Sequence, residues 1–182
     1  MLPTVLVVMT GLPGVGKSTL ARALAARLDG VPLRIDTIED AMVRSGVVAR
    51  AGGWAAVPDA GYQVAYALAE ELLGAGRLVV ADCVNPFDET RAAWRAVGVR
   101  AGVPVLEVEV VCSDEAEHRR RVEQRAAEPA DVPRPTWQEV LDRRYDPLSA
   151  GPTTLRVDTG AGIEPGLATV VDAVRRLRTS PA

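Results

Sequence analysis

Between Gly11 and Thr19, in the run Gly11-Leu12-Pro13-Gly14-Val15-Gly16-Lys17-Ser18-Thr19, nearly every residue type has a chemical use. The spacing fits G-x-x-x-x-G-K-[ST]. Glycines at those positions let successive backbone N–H groups turn inward around phosphate oxygens, at the positive end of the helix that follows. Lys17 then reaches the β- and γ-phosphates of a nucleoside triphosphate, and the Ser18 hydroxyl can ligate Mg²⁺. Of the 21 basic residues in the chain, Lys17 is the single lysine and all others are arginines. An ordinary Gly-rich strand-to-helix turn has no need of an ammonium group at that one place.

Two acids complete the pattern. Asp36 closes the apolar run Leu33-Arg-Ile-Asp36, and Asp82 closes Leu78-Val-Val-Ala-Asp82. Parallel strands put their carboxyl ends on the ligand side of a sheet, so both acids are expected to face the crevice of the phosphate loop. One can hold Mg²⁺ while the other accepts the proton of a hydroxyl attacking the γ-phosphate. The apolar run ending in Asp assigns Asp82 to the metal and Asp36 to the base. Either could instead cap the next helix. Phosphoryl transfer also needs positive charge over the moving group. Arg121 and Arg125 lie four apart on one helical face, beside a Pro-bearing stretch that reads as a lid across about 119–136; the bland alternative is a solvated face paired with Glu117 and Glu123. Asn85 and Arg91 are candidate acceptor contacts, one to a hydroxyl and one to a phosphate, or else a turn and a surface helix residue. His118 reads as a surface residue, Cys83 and Cys112 as small buried fillers, and Trp54, Trp94 and Trp137 as core or rim packing.

The elements that must position these groups alternate. Strands are predicted up to Met9 and at Val31–Asp36, Arg77–Asp82, Val103–Val111 and Thr154–Asp158. Helices are predicted at Lys17–Leu28, Thr37–Arg44, Asp59–Leu73, Asp88 to about Val97, Asp114–Ala127 and Glu164–Arg178. Residues 45–58, with Gly46, Gly52 and Gly53 around Trp54, read as a mobile or substrate-facing stretch. Thr136-Trp-Gln-Glu139 is a capping box that starts a helix running to about Tyr145. Five short apolar strands alternating with helices predict a parallel sheet covered on both faces, in one α/β domain spanning residues 1–182.

Composition removes competing chemistries. The chain has 182 residues, 48% of them hydrophobic and 25% charged, which is a globular balance. A net charge of −3 supplies no electrostatic pull toward nucleic acid or an anionic membrane, and no apolar run approaches the ~20 residues of a membrane span. With one histidine, a multi-histidine metal site is excluded, and any Ser-His-Asp or Cys-His hydrolase would depend on His118 alone. Two cysteines cannot build a disulfide framework, so a reducing cytoplasm is the expected compartment. The single lysine also excludes the N-K-x-D element that reads guanine. A small phosphotransferase remains, with ATP on the loop and an acceptor in a second site.

On Gly11 to Thr19, Asp36, Asp82 and the Arg121/Arg125 pair, nearly the whole chain resembles the small P-loop kinases of the AAA-type ATP-binding group, relatives of polynucleotide kinase, gluconate kinase and chloramphenicol phosphotransferase. The resemblance implies a five-stranded P-loop fold of order 2-3-1-4-5, with ATP and Mg²⁺ as cofactors. It also implies an acceptor-facing role for Asp36, phosphate-neutralising lid arginines and a Thr159–Ile163 loop near the adenine. The chain departs from the polynucleotide-kinase pattern at Thr37-Ile-Glu39, where that group is more basic. The expected partners are ATP and a small hydroxylated acceptor. A 5′-end nucleotide or nucleic-acid kinase, and an ATP-binding switch with little turnover, stand as alternatives.

Overall fold

The computed structural model describes residues 4–179. Five strands, β1 (Leu6–Thr10), β2 (Val31–Arg34), β3 (Val79–Asp82), β4 (Val105–Val111) and β5 (Thr154–Asp158), form one sheet in the order β2-β3-β1-β4-β5. Every pairing is parallel. Both the order and the covered parallel sheet agree with the sequence reading.

Strand periodicity divides the core between the two faces. Val5, Val7 and Met9 point to one side, where α1 (Lys17–Leu28) and α8 (Glu164–Thr179) pack Leu20, Leu24, Val170 and Val174 against them. Leu6 and Val8 point to the other, against Ala65, Ala69 and Leu73 of α4 (Ala60–Gly74) and Trp94 and Val97 of α5 (Asp88–Ala101). All five β1 residues are therefore buried, and the strand reads as an unbroken apolar run because neither face meets water. Pro32 is tolerated in β2 because that strand lies at the edge, where one row of backbone groups needs no partner.

Register sets the site. Met9 of β1 lies beside Asp82 of β3, and Asp82 lies beside Arg34 of β2. The ends of three adjacent strands thus stand level, and the phosphate loop leaves β1 directly above them. One boundary differs from expectation. β2 stops at Arg34, and Asp36 lies in the first turn of α2 (Ile35–Arg44) rather than closing the strand. An acid in a first helical turn is stabilised by the helix dipole. The stretch expected to be mobile or substrate-facing carries regular structure: α3 (Val47–Ala51) and a 3₁₀ turn at Trp54–Ala56 are joined through Gly52 and Gly53. α6 (Glu115–Ala126) leads into the lid, and the Thr136/Glu139 capping box opens α7 (Trp137–Leu141) as predicted. α7 is one turn shorter than expected, because the chain turns away at Asp142 and Tyr145 packs toward Thr10 and Glu109.

Candidate active site

The phosphate loop is shaped by glycines where no other residue fits. Gly14 has φ +84°, and a Cβ there would lie 2.4 Å from Val122 Cγ2; Gly16, at φ +96°, faces Thr159. Behind the loop, the Lys17 ammonium donates to the carbonyls of Gly11 and Leu12, at 2.7 Å each. Burial pulls its pKa down to about 8; Asp82 pushes the other way and Arg125 adds to the depression. The loop thus holds a lysine that is mostly charged at neutral pH and gives up its proton near pH 8.

Asp82 is only 5% exposed and accepts no hydrogen bond among the described residues, with Arg34 Nε at 3.6 Å. A nearly buried carboxylate with unused lone pairs, in the same cavity wall as Ser18, suits a hard divalent cation bound directly or through water. Asp36 is in the opposite condition. Arg34 Nη2 lies 2.9 Å from its carboxylate, Arg125 Nη2 donates to the same oxygen, and Arg134 Nη1 stands 3.5 Å away. Burial alone would raise the Asp36 carboxyl, but the guanidinium groups of Arg125, Arg34 and Arg134 together hold it below the usual carboxylate range.

Two cavities open on this cluster. One, of about 360 Å³, is walled by Asp36, Asp82, Tyr62, Phe87 and the lid residues Val132–Pro135. The other, of about 300 Å³, runs along Gly14, Gly16 and Thr19 to Arg22, Arg121 and Glu128. Lys17, Ser18 and Arg125 border both. The lid is tied down over the first cavity: the Asp40 carboxylate accepts from Val132 N at 3.1 Å and from Arg134 Nη2 at 2.6 Å, and Arg44 pairs with Asp131.

Several expected residues take other roles. Arg121 and Arg125 leave the same helix, but their guanidinium groups part company. Arg121 donates to Glu117, to Thr159 Oγ1 at 2.9 Å and to Thr159 O at 3.0 Å, while Thr159 Oγ1 donates to Val15 O at 2.6 Å. Arg121 therefore clamps the loop after β5 to the phosphate loop. Asn85 and Arg91 do not line either cavity. Asn85 is fully buried, donating to Met9 O, and Arg91 donates to the backbone carbonyls of Asn85, Asp146 and Pro147. Arg91 thus braces the 146–147 segment instead of awaiting a phosphate. His118 is also not on the surface: it is 8% exposed, bonded through Nε2 to Pro13 O, with its ring edge-on to Trp137. Cys83 is buried, as expected of a filler, and burial pushes its thiol up.

Sequence reading missed Arg34, Glu39, Arg134 and Arg143. Arg34 carried a signal, since it sits two residues before the singled-out acid at a strand end. Arg134 stood in plain view between Pro133 and Pro135, in the stretch already read as a lid.

Residues 6–147 match the AAA_33 family, an AAA domain. The chain belongs to that family. Among curated proteins, the adenylyl-sulfate kinase of Myxococcus xanthus is 34% identical over 106 residues, which is 56% of this chain and 55% of the relative, so the chain spans little more than half of that protein. Among solved structures, a kinase candidate from Chloroflexus aurantiacus superposes with a TM-score of 0.73 at 22% identity, covering 96% of this chain and 98% of that one. The Mycobacterium tuberculosis APS kinase CysC, in complex with AMPPNP and APS, gives 0.69 at 23% identity, over 96% and 99%. At those identities the likeness is one of fold, and it bears out the resemblance to small P-loop kinases at that level. Among the described residues, no helix is long and apolar enough to cross a membrane.

Proposed function

We propose that this AAA_33 chain is an ATP- and Mg²⁺-dependent kinase that transfers the γ-phosphoryl group to a hydroxyl of a small molecule. One observation carries the reading: Lys17, Ser18 and Arg125 border both cavities, so a triphosphate on the loop would end where the second cavity begins. Two cavities joined only at phosphate-binding groups are what direct transfer between two bound substrates requires.

In this reading residues 11–19 cradle the β- and γ-phosphates, and Lys17 leaves the Gly11 and Leu12 carbonyls to follow them. Ser18 and Asp82 hold Mg²⁺, which neutralises charge on the phosphates when bound. Arg125 moves from Asp36 to the transferring group, and Arg121 keeps the Thr159 loop against the nucleotide side. Losing Arg125 removes the strongest guanidinium influence on Asp36, whose carboxylate then accepts the acceptor's hydroxyl proton. Nucleotide arrival and release of the base are therefore one event. Asn85 and Arg91 take no part.

The test is ADP release in Mg-ATP for wild type and Asp36→Asn, with and without pooled hydroxylated metabolites. A kinase shows release stimulated by at least one pool and lost in the variant. Tight Mg-ATP binding with no pool-dependent release, or equal release by Asp36→Asn, would reject the assignment.

A further inference from the structure

Arg134 is the least expected group in the acceptor cavity. Its side chain is only 13% exposed, yet it sits on a surface lid, and the prolines on either side restrict the backbone that carries it. A guanidinium has five N–H donors in a planar fork. Among the described residues Arg134 spends one of them on a hydrogen bond, to Asp40, with Asp36 farther off at 3.5 Å. Asp36 has no need of this third partner, since Arg34 and Arg125 already contact it. Arg143, from the chain just after α7, lines the same cavity.

Both arginines border the acceptor cavity and neither borders the nucleotide cavity, unlike Arg125. Phosphate on the loop therefore does not account for them. The wall around them mixes apolar side chains, Ile35, Val132, Pro133 and Pro135 beside the rings of Tyr62 and Phe87, with the carboxylates of Asp36, Glu39 and Asp82. Asp40 already meets one N–H of Arg134, and the donors that remain, with those of the exposed Arg143, stay available to an anion in the cavity. Burial, with Asp36 and Asp40 nearby, raises the Glu39 carboxyl.

We propose that the acceptor carries its own oxyanion, a phosphate, sulfate or carboxylate, bound in fork geometry by Arg134 with Arg143, so that its hydroxyl is set toward Asp36. This rests on the kinase reading above. The Tyr62 and Phe87 rings would then flank the uncharged body of the same molecule.

The test loads the full chain with saturating Mg-AMPPNP, so that the phosphate loop is occupied, and titrates sulfate, phosphate and acetate at matched ionic strength. Thermal midpoint and tryptophan fluorescence are followed in wild type, Arg134→Met and Arg143→Met. General salt effects are common to all three proteins, so the difference between them reports the site. Expected is a saturable midpoint increase in wild type that falls at least threefold in Arg134→Met and measurably in Arg143→Met, whose exposed side chain is not needed for folding. Identical titrations in the three proteins overturn the proposal. Compound pairs differing only in a phosphate, sulfate or carboxylate group are then compared in the ADP-release assay. Stimulation by charged members alone supports the proposal and identifies the oxyanion; stimulation by neutral members alone overturns it. Mg-AMPPNP affinity is recorded throughout: failure of wild type to bind it rejects the kinase reading, whereas retained affinity without an arginine-dependent anion effect rejects only the acceptor class.

Discussion

Raising the pH should unload the phosphate loop through Lys17, by a calculable amount. In the free protein burial draws the Lys17 ammonium down to about 8, whereas a bound polyphosphate would restore a strong preference for the charged form. Binding above pH 8 therefore requires uptake of a proton. About nine-tenths of the molecules carry the charge at pH 7 and about one-tenth at pH 9, so Mg-AMPPNP affinity should fall about tenfold across that interval, or ~1.4 kcal/mol. Calorimetry in buffers of differing ionisation enthalpy should register close to one proton taken up per nucleotide at pH 9 and little at pH 7. Lys17→Arg supplies the control, because a guanidinium does not titrate in this range: it binds more weakly but with a flat profile. The same depression has a sign for stability. Between about 8 and the ordinary 10.5, the unfolded chain binds the proton that the folded one has lost, so this group's contribution to stability rises with pH. A flat wild-type profile, or an equal slope in Lys17→Arg, would refute the placement of a buried lysine of lowered pKa behind the loop.

Asp36→Asn should lower acceptor-stimulated ADP release by about 10²- to 10⁴-fold while Mg-AMPPNP still binds, as equilibrium titration can establish. Asp82→Asn should raise the Mg²⁺ needed for half-maximal release by about tenfold or more, read from a metal titration at fixed ATP. Arg91→Met should act on stability instead, costing about 2–4 kcal/mol in urea unfolding because the carbonyls of Asn85, Asp146 and Pro147 lose their donor; an acceptor KM change without loss of stability would contradict its bracing role. Gly14→Ala combines positive φ with a 2.4 Å approach to Val122. It should cost about 1–3 kcal/mol in the same assay, and an unchanged midpoint would count against the loop geometry.

The parts of the site that could be read in advance are those whose chemistry is local. The phosphate loop announces itself because its glycines, lysine and hydroxyl act on backbone atoms only a few residues away, as Lys17 does on Gly11 and Leu12. The capping box at Thr136 and Glu139 is legible for the same reason. The boundary at Asp36 is not, because Leu33-Arg-Ile-Asp has no turn residue to mark where the edge strand becomes a helix. His118 and Arg91 mislead for a different reason. Each is a polar residue on a helix, and the sequence does not say that a phosphate-loop carbonyl or the 146–147 backbone awaits it on the inner face.

What the sequence by itself determined is the loop, the alternation of strands and helices, and the acid that ends β3. These depend on periodicity and on contacts a few residues apart. Tertiary structure alone decided how the two acids differ. Asp82 stands between Met9 and Arg34 where the ends of β1, β3 and β2 are level, with the Arg34 Nε no nearer than 3.6 Å. Asp36 is surrounded because α6 and the lid return to it, bringing Arg125 from 89 residues away, while Arg134 meets Asp40 from 94 residues away. No local pattern encodes such encounters. They exist only once the packing of both sheet faces has fixed where each helix ends.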